Sequence, residues 1–103
     1  EDLLFGKPLG DGNDYYWYAT VLQMWKGGKK ALPAFQHVAV EAKNSEIQAL
    51  AHIRIGDIMQ KMGDFAASRD EYKAAAKLMP GTPWAKVSTE NASQLEMAMD
   101  VAQ

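Results

Sequence analysis

Glycine and proline cut this chain into pieces the length of single helices, and that spacing restricts the possible folds more than any other feature. Gly27-Gly28, Gly63-Asp64 and Pro80-Gly81 separate stretches in which apolar residues recur three and four positions apart. That period places them on one face of an α-helix, and no stretch alternates with period two, so no sheet is expected. Tyr15, Tyr18, Ala19, Leu22 and Trp25 mark a first helix starting at Asp14, with Asn13 as its N-cap. Ala31, Leu32, Phe35, Val38, Ala39 and Ala42 mark a second, with Pro33 placed in its first turn, where proline is tolerated. These two helices are expected to pair antiparallel.

Ser45 and Gln48 have the spacing of a capping box, which opens a third helix. Its apolar residues Ile47, Leu50, Ala51, Ile53, Ile55, Ile58, Met59 and Met62 cover more than half of the helical wheel, interrupted chiefly by Arg54, so this helix needs neighbours on more than one side. Gly63 ends it in the left-handed conformation and Asp64 caps a fourth helix from Phe65 to about Met79. Thr82 and Pro83 then supply an N-cap and a first-position proline for a fifth. Trp84, Val87, Leu95, Ala98, Met99 and Ala102 are expected on its packing face, with Lys86, Glu90, Ser93, Glu96 and Asp100 opposite. The opening residues 1–13, with Gly6, Pro8, Gly10 and Gly12, are expected to form an extended lead-in from which Leu3, Leu4 and Phe5 can dock.

Composition excludes several function classes. The 103 residues suit one domain, and 48% hydrophobic with 23% charged residues is ordinary for a folded globular chain. Eleven basic against thirteen acidic residues leave no concentrated cationic face, which argues against nucleic acid as partner. With no cysteine, disulfides, thiolate metal sites and a cysteine nucleophile are out of the question. No apolar run reaches the roughly 18 residues of a membrane span. A start at Glu1 without methionine tilts the expected compartment toward an exported, periplasmic location over a cytoplasmic one.

The helical pairs repeat. In the second pair His52, Ile55-Gly56, Met59, Gly63, Ser68, Tyr72, Ala75 and Pro80 fall at the positions that define tetratricopeptide repeats, whose period is about 34 residues. The chain resembles that family from Asp14 to Gln103. Gly56 and Ala75 would let the helices approach closely, Tyr72 would fill the gap between hairpins, and Pro80 would end the unit. The first pair matches less closely. Tyr15, Tyr18-Ala19 and Leu22, then Ala31, Phe35 and Val38, stand at the equivalent positions, but Ala19 replaces the usual glycine and no closing proline follows. Phe35 and Tyr72 lie 72 − 35 = 37 residues apart, which a short insertion near 43–46 or a shifted first hairpin would explain.

The resemblance implies an all-α fold of antiparallel hairpins stacked as a short right-handed solenoid. Repeat one spans 14–44, repeat two 45–80 and a capping helix 82–102. It also implies a concave groove that holds a partner peptide or helix, and the register places Tyr16, Thr20, Gln23, Met24, Leu50, Ile53, Asp57, Gln60, Lys61, Val87, Asn91 and Gln94 on it. Leu50 and Ile53 are the expected anchors; the competing reading is that they pack against the next helix. Family members that hold chaperone tails carry a Lys and an Asn one turn apart where this chain has Tyr16 and Thr20, so a neutral or amphipathic ligand is expected instead.

No reaction is expected, since no nucleophile elbow and no phosphate-cradling loop appears. No cofactor is expected either. His37 and His52, with Glu41 or Asp57, match no metal-ligand spacing. The run Tyr15-Tyr16-Trp17-Tyr18 resembles a stacking platform only on paper, because consecutive residues on a helix point in four directions. The function expected is therefore that of an interaction scaffold or adaptor. The alternative is a structural subunit of a larger, membrane-associated assembly, with a homo-oligomer also open.

Overall fold

The computed structural model describes residues 12–102, the side chain of residue 102 excepted. The lead-in containing Leu3, Leu4 and Phe5 lies outside these residues. The fold is all-helical: α1 (Asn13–Lys26), α2 (Gly28–Glu41), α3 (Ser45–Lys61), α4 (Phe65–Leu78) and α5 (Pro83–Ala102), with no strand among the described residues.

The helix ends show which local chemistry prevails. Asn13 is the first helical residue, and Gly12 takes the cap position at φ 87°. A side chain at Gly12 is excluded twice, because a Cβ there would also collide with the Cβ of Ala42. Gly27 alone, at φ 91°, turns α1 into α2. Because α2 therefore starts at Gly28, Pro33 lies inside it and not in the first turn as expected, leaving the carbonyl of Lys29 without its helical donor. Asn44, not Ser45, caps α3, its side chain accepting from the backbone N–H of Ile47 at 3.1 Å. Asp64 caps α4 through the N–H of Ala67 at 3.2 Å. Thr82 caps α5 as expected: its Oγ1 accepts from the N–H of Ala85 and donates to the carbonyl of Met79.

Each helix packs mainly on its neighbours in sequence, and α1 also reaches α3. The pairs run antiparallel. Tyr15 near the start of α1 meets His37 late in α2, Gly28 meets Ile58, Ser68 bonds Gly56, and Lys73 pairs with Glu96. The result is a flattened body of 45 × 31 × 17 Å. One core cluster, including Tyr15, Ala19, Phe35, Val38, Ile55 and Ile58, joins α1, α2 and α3. Ala49, Ala75 and Met79 join α3 to α4, and Tyr72, Ala92 and Leu95 join α4 to α5.

Burial repeats at the interval seen between Phe35 and Tyr72. Ala19 and Gly56, Ala31 and Ser68, Phe35 and Tyr72, Val38 and Ala75 are all buried pairs at that spacing. The same interval carries Ala51, Ile55 and Ile58 onto Ser88, Ala92 and Leu95, again all buried. The end helices differ where a neighbour is missing. On α1, Asp14 and Val21 stand exposed at the positions of Ala51 and Ile58; on α5, Lys86 and Ser93 stand exposed at those of Ala49 and Gly56. The packing face of α5 is thus made of the small residues Ser88 and Ala92 with Leu95, while Trp84, Val87 and Ala98, expected there, are exposed.

Candidate functional site

Leu50, Ile53, Arg54 and Asp57 follow one another on α3 at the spacing of a single helix face. That face lines a cleft of about 390 Å³, whose other lining residues are Tyr16 and Trp17 from α1 and Trp84 from α5. Three helices therefore contribute to it, none of them adjacent in sequence to another. A larger and more open hollow of about 730 Å³ is lined only by residues 81–90 at the start of α5. It brings no separate elements together.

The cleft lining combines aromatic and aliphatic residues with one arginine and one aspartate. Trp17 and Trp84 remain 56% and 48% exposed, large for indole rings in a folded chain. Tyr16 is buried, its ring edge-on to both Phe35 and Trp17, and its hydroxyl accepts from Nε of Arg54 at 3.0 Å. Asp57 accepts a hydrogen bond from the hydroxyl of Tyr72. Burial of Tyr72, reinforced by the bond to Asp57 and by its negative charge, raises that hydroxyl well above the usual tyrosine pKa. Arg54 forms no ion pair among the described residues; Arg69–Asp70 and Lys73–Glu96 do, and His52 is hydrogen-bonded to Glu71.

Of the residues placed on the groove from sequence, Tyr16, Leu50, Ile53 and Asp57 meet in this cleft. Thr20 is half-buried one turn along α1, where its hydroxyl donates to the carbonyl of Tyr16 at 2.9 Å. Gln23 and Asn91 are half-buried, and Met24, Gln60, Lys61, Val87 and Gln94 are exposed; none of these lines the cleft. Ile53 also packs against both small core clusters, and Leu50 against the large one, so each has a structural task as well. The observed interval moves the register on α5: Val87, Asn91 and Gln94 correspond to Leu50, Arg54 and Asp57, where the shorter family period pairs them with Ile53, Asp57 and Gln60.

Trp17, Arg54 and Trp84 were not among the groove residues read from sequence. Trp17 is diluted by the aromatic run around it, Arg54 reads as a break in an apolar helix, and Trp84 reads as a packing residue. The signal that would have found Arg54 is its place between Ile53 and Asp57 on the same face.

Elsewhere, Nδ1 of His52 lies 2.7 Å from Glu71 on α4, not beside Asp57. No group of three or more potential metal-binding side chains occurs among the described residues. No helix among them is long and apolar enough to cross a membrane. Comparison with family models, curated proteins and solved structures returned no match.

Proposed function

We propose that this chain is an interaction module: two tetratricopeptide-like hairpins and a closing helix form a short solenoid, and the cleft shared by α1, α3 and α5 holds a segment of a partner protein. The observation that carries the reading is the pair of exposed tryptophans, Trp17 and Trp84, which line one cleft together with the apolar residues Leu50 and Ile53. Aromatic side chains around a partly desolvated centre are the usual anchors of protein recognition. The test is affinity capture from the native source with wild-type chain and with a Trp17→Ala/Trp84→Ala variant of equal helicity. A partner held by the first and released by the second supports the reading; partners that do not distinguish them defeat it. Ile53 is unsuited to this test because it also packs α3 on its neighbours.

A second reading, a permanent subunit of a larger assembly, is favoured by one feature. Val21, Met24 and Trp25 leave α1 with an apolar side that is 51%, 79% and 81% exposed at those residues. A chain that stays monomeric and soluble at high concentration by light scattering argues against it.

A further inference from the structure

We propose that the segment taken by the cleft carries an acidic side chain next to a large apolar one, with Arg54 receiving the carboxylate. This inference rests on the interaction reading above and names the chemistry of the partner. Arg54 is half-buried, and its Nε is committed to the hydroxyl of Tyr16, a buried residue whose ring packs edge-on against Phe35 and Trp17. The guanidinium is thereby held in one orientation while its two terminal amino groups have no acidic partner among the described residues. A partly desolvated cation without an anion is costly, and a fixed guanidinium fork matches a carboxylate with two parallel hydrogen bonds.

Asp57 does not supply that anion. It lies one turn further along the same face, yet it forms no ion pair with Arg54 and instead accepts from Tyr72. The remaining lining, Trp17, Trp84, Leu50 and Ile53, is suited to an aliphatic or aromatic side chain. Tryptophan faces also attract cations, and Asp57 lines the same cleft, but its carboxylate is already engaged by the Tyr72 hydroxyl whereas Arg54 has no acidic partner among the described residues, so the unpaired charge favours the acid.

The test is selection of a displayed random-peptide library on the immobilised 103-residue chain, followed by titration of synthetic peptides from the winning sequences. Enriched peptides are expected to place Glu or Asp beside Leu, Met, Phe or Trp. Replacing that Glu by Gln in the peptide is expected to weaken binding about tenfold or more, the size of a charge-assisted hydrogen bond. Against an Arg54→Gln variant with wild-type melting behaviour, the Glu and Gln peptides are expected to bind alike. Winners without an acid, winners rich in Lys or Arg, or equal binding of the two peptides to wild type overturn the inference while leaving an apolar groove standing. Failure to enrich any peptide that the Trp17→Ala/Trp84→Ala variant loses overturns both readings.

Discussion

Gly56 lies against the ring of Tyr72: a Cβ on the glycine would stand 3.0 Å from Cε1, 3.1 Å from Cζ and 3.2 Å from Cδ1. The ring has no room to retreat, since Tyr72 is 1% exposed and its hydroxyl is tied to Asp57. Gly56→Ala gains about 1 kcal/mol of helix propensity. Overpacking costs about 1–3 kcal/mol. Net destabilisation of about 1 kcal/mol is expected, read from the urea midpoint. A stabilised variant would mean that α3 and α4 are less tightly fitted than described.

Tyr72→Phe keeps the ring and removes the bond to Asp57. A loss of about 1–2 kcal/mol at neutral pH is expected, the usual cost of leaving a half-buried carboxylate short of one donor. The pH dependence has a definite sign. The folded-state pKa is raised, so the contribution is fully present below the ordinary tyrosine value near 10 and is lost as pH rises through the higher folded value. Wild type should therefore lose stability above pH 10 more steeply than Tyr72→Phe; parallel curves would contradict the raised pKa.

Two buried serines are expected to respond in opposite directions. Oγ of Ser68 donates to the carbonyl of Gly56 at 2.6 Å, whereas Oγ of Ser88 has no partner among the described residues. Ser68→Ala should cost about 1 kcal/mol, and Ser88→Ala should be neutral or stabilise by about 1 kcal/mol, because it removes a buried, unpaired hydroxyl and improves helix propensity. Thermal melts of both variants, side by side, check the contrast. Destabilisation by Ser88→Ala would indicate a partner or a buried water.

Pro33 is exposed in the interior of α2. Pro33→Ala restores a donor to the carbonyl of Lys29 and should stabilise by about 1–2 kcal/mol, after the loss of unfolded-chain restriction is deducted. The measurement is again the urea midpoint, and a drop would assign the proline a packing role that its exposure does not reveal.

The five helices were legible because their boundaries rest on local chemistry: Gly27, Gly63, Asp64, Thr82 and Pro83 act through their own backbones and side chains. Competing local options were harder. Asn44 and Ser45 both favour a cap, and the choice between them depends on where α3 meets the preceding turn. The faces of α5 were misread for a different reason. Large apolar residues dominate a sequence-based estimate of burial, yet close packing against α4 selects the small Ser88 and Ala92 and turns Trp84 outward. Four of the seven lining residues, Tyr16, Leu50, Ile53 and Asp57, are among those the sequence places on a groove. Arg54 and the two tryptophans are not, because their importance comes from three separate helices converging.

Asp57 belongs to the cleft and to the interior at once, through the tyrosine hydroxyl that it accepts. Since Tyr72 in turn is packed with Ala92 and Leu95, whatever touches that carboxylate from outside reaches the contact between the last two helices. Linkage then works in both directions. A guest that leaves the Tyr72 bond intact is expected to raise the melting temperature, while one that captures the carboxylate for itself is expected to speed amide exchange in α4 and α5.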